Sequence, residues 1–267
     1  MFVTADDGVR LATRSDGPLG AEPLLFMHSL GCDLSMWDSQ AKALAGPFRV
    51  LRFDMRGHGA SDVPAGEYAM DRLGRDALAV LDAVKVKRTN VCGISIGGLA
   101  AQWLAIHAPD RVNKLVLANT AARIGTYETW QARRDAVSEH GLEAIMDQLL
   151  SRFFSEGFRA ASPGVVNTFQ RILRRIDPQG YRACCAALQR CDMRGELSQV
   201  TAPTLVIGGT LDVSTPPAEA QALARLITEA RLVMLEGAHL SNVEQPEIFT
   251  FEVFRHLRSN QWMKKSV

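Results

Sequence analysis

A short apolar run, Thr89-Asn90-Val91-Cys92, leads straight into Gly93-Ile94-Ser95-Ile96-Gly97-Gly98, and the helix-forming run Leu99-Ala100-Ala101-Gln102-Trp103-Leu104-Ala105 follows at once. No other stretch restricts the fold as tightly. A strand that passes through Gly-x-Ser-x-Gly into a helix must reverse direction on the serine itself. That turn strains the serine backbone, and only residues without a Cβ can crowd beside it. The turn lifts the serine hydroxyl clear of the sheet at a helix N-terminus, where backbone N–H groups point outward. Ser95 is therefore a candidate nucleophile, and the N–H of Ile96, the next residue, is a candidate donor to an oxyanion.

A serine hydroxyl is a poor nucleophile at neutral pH; it needs a base, and the base needs an orienting group. Two residues stand in the order this requires. Asp212 follows the apolar run Thr204-Leu205-Val206-Ile207-Gly208-Gly209, and His239 follows Arg231-Leu232-Val233-Met234-Leu235-Glu236-Gly237-Ala238. Each sits just past an expected strand, where loops at the carboxyl edge of a parallel sheet carry function. His239 would take the Ser95 proton and return it to the leaving oxygen, while Asp212 holds the imidazole tautomer. A second oxyanion donor is expected in the loop after the strand ending at Met27, at the Leu30 N–H. The alternative roles are ordinary ones: a turn serine, a hydrogen-bonded loop histidine, a helix-capping aspartate. Asp192 competes with Asp212 but lies inside the stretch 121–198, which reads as an insert.

The rest of the chain supplies the frame. Val9–Arg14 alternates as an edge strand does, and Leu24–Met27, Phe48–Phe53 and Val112–Ala118 read as short buried strands. Helical spacing falls between them, around Met36 to Leu44 and Met70 to Val84. Strand alternating with helix implies a mostly parallel α/β sheet flanked by helices. The rhythm breaks at residue 121. From there to 198 no strand is expected, and Leu142 to Phe154 and Val165 to Ile176 look helical, with turns at Ser162-Pro163-Gly164 and Asp177-Pro178-Gln179-Gly180. Residues 1–120 and 199–267 then form one core, and 121–198 a helical insert between two of its strands. Helices are expected from Pro216-Pro217 to Leu226 and from Pro246 to Leu257.

Composition removes several function classes. The formal net charge is +1 over 267 residues, which gives no polybasic surface for nucleic acid or an anionic membrane. No window approaches the roughly 18 apolar residues of a membrane span, and the N-terminus has no signal-peptide pattern. The five cysteines are an odd number without a Cys-x-x-Cys pair, as expected of free thiols in a reducing cytoplasm and not of a zinc site. The residues leave open whether the chain is a monomer or a homo-oligomer.

His28-Ser29-Leu30-Gly31, Met36-Trp37, Asp54-Met55-Arg56-Gly57-His58-Gly59-Ala60-Ser61-Asp62, Gly93-Ile94-Ser95-Ile96-Gly97-Gly98 and Gly237-Ala238-His239 together resemble the α/β-hydrolase superfamily. Their arrangement is similar in particular to the 3-oxoadipate enol-lactonases of aromatic degradation. The resemblance spans nearly the whole chain and is weakest in the insert. It implies an α/β-hydrolase fold with the insert as a cap over the active site, and hydrolysis of a small anionic lactone to 3-oxoadipate without metal or organic cofactor. One departure is His28-Ser29, where many relatives have His-Gly. The same motifs serve carboxylesterases, perhydrolases and C–C hydrolases, which stay open as alternatives, as does a non-catalytic binder. Ser95 itself argues against haloalkane dehalogenase and epoxide hydrolase chemistry, which use an aspartate at that position.

The insert is rich in arginine and contains no lysine. Arg133 and Arg134 follow Trp130 by three and four residues, so one of them shares its helical face. One of these arginines is expected to pair with the substrate carboxylate, a task suited to the guanidinium fork, with Trp130 walling the pocket. A solvated helix face, with Glu128 and Asp135 as partners, is the alternative. His28 and His58 are expected to brace the loops around Ser95, His107, His140 and His256 to lie on the surface, and Trp37 and Trp103 to be core.

Overall fold

The computed structural model describes residues 1–262. Eight strands form one sheet: β1 (Phe2–Thr4), β2 (Arg10–Asp16), β3 (Glu22–Met27), β4 (Phe48–Phe53), β5 (Thr89–Ile94), β6 (Val112–Ala118), β7 (Thr204–Gly209) and β8 (Arg231–Leu235). Their spatial order is β1-β2-β4-β3-β5-β6-β7-β8. The first two pairings are antiparallel and every one from β4 onward is parallel. Parallel strands are covered on both faces, which is why β5 and β7 are buried at every residue and read as unbroken apolar runs.

Two details differ from the sequence reading. The first edge strand runs on to Asp16, because Ser15 and Asp16 continue the ladder opposite Leu51 and Val50. Strand β1 was not expected at all; three residues are too few to show alternation, and Phe2–Thr4 are ordered by pairing with Ala12–Arg10.

Helices α1 (Asp38–Leu44), α2 (Met70–Ala83) and α3 (Ile96–His107) cover the first half of the sheet. Almost every residue of α3 is buried, so it shows no polar face. Trp37 is fully buried, stacked on Phe26 with ring centroids 4.4 Å apart, and Trp103 is buried as well.

Five helices lie between β6 and β7: α4 (Tyr127–His140), α5 (Met146–Phe153), α6 (Glu156–Ala161), α7 (Pro163–Arg175) and α8 (Pro178–Arg190). Local chemistry sets their ends. Thr126 and Thr129 cap α4 reciprocally, and Gly141 ends it at φ 70°. Proline opens both α7 and α8, where its missing N–H costs nothing, and the Asp177 carboxylate accepts the Gln179 N–H. The helix expected from Leu142 begins instead with a tight 3-10 turn, Leu142–Ile145. Phe153, Phe154, Phe158 and Phe169 pack together inside the insert.

Helices α9 (Pro217–Leu226), α10 (Ser241–Glu244) and α11 (Pro246–Trp262) complete the described residues. His256, expected on the surface, is buried instead. Its face of α11 lies on the sheet, where its Nε2–H donates to the Pro203 carbonyl at 3.2 Å and Lys114 Nζ donates to the carbonyls of His256 and Leu257. His107 and His140 are exposed. All five cysteines are buried and unpaired. Among the described residues, no helix is long and apolar enough to cross a membrane.

Candidate active site

Ser95 sits between β5 and α3 at φ 58° and ψ −121°, a conformation an L-residue adopts only under constraint. The constraint is visible on every side. The Ser95 N–H is shared between the carbonyls of Ala118 and Asn119, at 3.2 and 3.1 Å, and its carbonyl accepts the Thr120 hydroxyl at 2.8 Å. The flanking glycines leave no room for side chains. A Cβ on Gly93 would lie 2.2 Å from the Gly97 carbonyl oxygen, and one on Gly97 would lie 2.3 Å from that of Met27. On Gly98 it would meet the Thr120 side chain at 2.7 Å.

Asp212, just past β7, is buried and receives five donors. Oδ1 accepts the Ser214 and Thr215 N–H groups at 2.8 and 3.0 Å. Oδ2 accepts the Thr215 hydroxyl at 2.7 Å, Asn119 Nδ2 at 3.1 Å and His239 Nδ1 at 2.9 Å. Burial pushes this carboxyl upward, but the His239 charge and the hydrogen bonds from His239 and Thr215 outweigh it and bring its pKa to about 2. Asp212 is therefore ionised at neutral pH. With Nδ1–H committed to Asp212, His239 has Nε2 left for the cavity that it and Ser95 both line.

Asn119 was missed by sequence reasoning. It directly follows β6, at φ 41°, and is buried behind Asp212. Its Nδ2 also donates to the Ala238 carbonyl at 3.1 Å, and its Oδ1 accepts the Ser241 hydroxyl at 2.5 Å. It thus ties together the loops of Ser95, Asp212 and His239. An asparagine tolerates this left-handed backbone better than most residues, but no motif marks it.

Leu30 lies in the cavity lining beside Ser95. The N–H groups on either side of it are committed, that of Ser29 to Met36 Sδ at 3.4 Å and that of Gly31 to His58 Nε2 at 3.2 Å. His28 Nδ1–H donates to the Ser29 carbonyl at 2.8 Å, and its Nε2 accepts the Met55 N–H at 2.9 Å. Each imidazole works as a neutral acceptor. Burial lowers the pKa of His28, and burial together with His28 brings that of His58 down to about 3. The Ile96 N–H opens α3 directly after Ser95.

The cavity has a volume of about 590 Å³ and lies between the sheet edge and the helical insert. Trp130 forms part of its wall, with Nε1–H donating to the Ile124 carbonyl at 2.5 Å. Arg133 lines it too, its guanidinium 5.1 Å from the Trp130 ring centre. Arg134 does not. One turn position further on, it points out of the cavity to an ion pair with Glu67 and a 2.7 Å hydrogen bond to Gln189 Oε1. The second arginine of the cavity is Arg152, from the end of α5. Its distance from Trp130 in sequence hid it; only the fold of the insert brings α4 and α5 to one wall. Burial, and then Arg133, pull the Arg152 pKa down. Tyr181 completes this end, its hydroxyl pushed up by burial. Among the described residues no Asp or Glu lines the cavity, and Asp192 pairs with Arg194 elsewhere.

Comparisons with known proteins agree with this geometry. Residues 22–246 match the family model described as alpha/beta hydrolase fold. The chain is 42% identical to 3-oxoadipate enol-lactonase 2 of Acinetobacter baylyi over 94% of both chains, and 36% identical to 3-oxoadipate enol-lactonase 1 of that organism over 93% of both. The crystal structure of the enol-lactonase from Burkholderia xenovorans LB400 superposes with a TM-score of 0.95 at 38% identity, covering 96% of this chain and 99% of the other. The strained serine between β5 and α3, the ordered aspartate and histidine after β7 and β8, and a family match over most of the sequence make this chain a member of the α/β-hydrolase fold family.

Proposed function

We propose that this protein is a serine hydrolase that opens the lactone ring of 3-oxoadipate enol-lactone. The observation that carries the substrate class is the cavity's charge. Among the described residues, Ser95 and His239 share it with two guanidiniums and no carboxylate. A substrate that is both an ester and an anion fits such a space, and the names of the relatives fit the same reading.

In this reading Ser95 Oγ attacks the ring carbonyl as its proton passes to His239 Nε2, with Asp212 stabilising the imidazolium. The oxyanion is held by the N–H groups of Leu30 and Ile96; losing one such donor costs about 3–4 kcal/mol of barrier. The ring carbon–oxygen bond then breaks, leaving an acyl-enzyme on Ser95, and a water activated by His239 releases 3-oxoadipate. Arg133, held face-on to Trp130, takes the acid arm. Residues 121–198 act as a cap that closes the pocket over the sheet edge. The five unpaired thiols favour a reducing compartment such as the cytoplasm.

The direct test of the substrate class is charge discrimination. The enol-lactone and the same lactone with its acid arm methylated are compared by kcat/KM. A buried charge pair of this kind is worth about 2–5 kcal/mol, so the acid is expected to be favoured by about 10²-fold or more. Arg133→Gln is expected to erase most of that preference by raising KM. Equal turnover of the two lactones would favour a general carboxylesterase.

A further inference from the structure

The two cavity arginines are not equivalent. Arg133 lies against Trp130 on α4 and faces the Tyr181 hydroxyl. Arg152 lies nearer the chemistry. Its own carbonyl accepts the His239 N–H at 3.4 Å, the next carbonyl, Phe153, accepts the Leu240 N–H at 3.0 Å, and its guanidinium is within electrostatic reach of Asp212 as well as Arg133. The end of α5 is thus pinned to the histidine loop, and a half-buried cation is fixed beside it. No hydrogen bond or ion pair within the described residues occupies that guanidinium, whereas Arg134, also half-buried, is held by Glu67 and Gln189.

Ring opening of an enol-lactone creates charge at two places. One is the carbonyl oxygen, which the backbone donors serve. The other is the ring oxygen, which leaves as an enolate on the carbon that carries the acid arm. That places a second negative charge next to the carboxylate already held in the cavity. One cation at the arm cannot serve both well. We propose that Arg152 stabilises the departing enolate oxygen, so that Arg133 holds the acid arm and Arg152 acts in the ring-opening step. This rests on the enol-lactone reading above.

The step balances without further reactants. The Ser95 Oγ–carbon bond forms and its proton moves to His239. The carbon–oxygen bond of the ring breaks, and its electron pair goes to the ring oxygen facing Arg152. His239 then returns the proton to that oxygen, and the resulting enol ketonises in water. The guanidinium stays protonated throughout, as its chemistry requires.

The test uses the intact protein and three substrates. These are 3-oxoadipate enol-lactone, α-angelica lactone (the same unsaturated ring with a methyl group in place of the acid arm) and p-nitrophenyl acetate, whose leaving group needs no assistance. Acid release is followed for the lactones and p-nitrophenolate for the ester. Arg152→Gln is expected to lower kcat about 10²-fold on both lactones, comparable to losing an oxyanion donor, with Arg152→Lys recovering part of the loss. The ester is expected to lose no more than about threefold, which also reports an intact fold. Four results would overturn the proposal. A loss confined to KM for the anionic lactone would make Arg152 a second carboxylate binder. Equal losses on all three substrates would make it structural. Wild-type failure to open either lactone, with the ester still hydrolysed, would overturn the enol-lactone reading and this step with it, whereas lactone turnover indifferent to Arg152 would overturn this step alone.

Discussion

Asn119 is the residue on which the candidate site depends most without touching the cavity. It donates to Asp212 and to the histidine loop and accepts from Ser241. A hydrogen bond to a charged group is worth about 1.5–3 kcal/mol. Asn119→Ala should therefore lower kcat by about 10- to 100-fold with little change in KM, since it disturbs the orientation of Asp212 and not substrate contacts. Steady-state kinetics beside a thermal melt check this; a melt lowered with kcat unchanged would make the residue purely structural. At this scale the sequence is legible only in part. Ser95, Asp212 and His239 announce themselves through strand ends and a strained turn. Asn119 and Arg152 do not, because their partners are assigned by the packing of β6 against β7 and of α5 against the histidine loop. Arg134 illustrates the same limit from the other side. Helical spacing puts both it and Arg133 near Trp130, but Glu67, from a distant loop, draws Arg134 away.

Among the elements, the helical insert touches the core at a few close points. At one of them two glycines meet. A Cβ on Gly180, in the first turn of α8, would come within 2.4 Å of the Gly57 carbonyl oxygen. Beyond it, the Tyr68 N–H donates to the Ala183 carbonyl at 3.2 Å. Gly180→Ala must push α8 off the loop that carries His58, and overpacking of this sort costs about 1–3 kcal/mol. The expected outcome is a lowered melting temperature together with a raised KM for the lactone, because α8 also carries Tyr181. A variant that melts lower but binds the lactone normally would show that this contact serves stability only. The strands and the elbow were legible because each has a period or a fixed steric requirement. The insert was legible only as helical, since helix boundaries there depend on caps such as Thr126 and on the Gly141 turn, and their packing depends on which faces meet.

For the whole molecule, the consequence of burial is acid sensitivity through histidine. His28 and His58 brace the loop that carries Leu30, and His256 lies on the face of α11 that packs on the sheet. Burial lowers the pKa of all three, that of His58 to about 3 and, with Lys114 also contributing, that of His256 to about 4. In the unfolded chain these side chains titrate near 6.5. Below that pH the unfolded state binds protons that the folded state refuses, so stability is full above about 6.5 and falls as pH drops toward 4. Asp212, at about 2, is lost only at much lower pH. Melting temperature measured from pH 7.5 to 4.5 should decline through this window, and His256→Gln should flatten part of the decline. A flat profile to pH 4.5 would contradict the neutral, buried state of these imidazoles.

All of this converges on a chain whose strained serine opens an anionic lactone. The most direct measurement is the rate of ring opening of 3-oxoadipate enol-lactone by the wild type and by Ser95→Ala, followed as loss of the lactone. The account predicts rapid turnover in the wild type and a fall in kcat of about 10⁴-fold or more in the variant, as for loss of an essential nucleophile. Turnover that survives in Ser95→Ala, or a wild type that leaves the lactone intact while hydrolysing neutral esters, would contradict it.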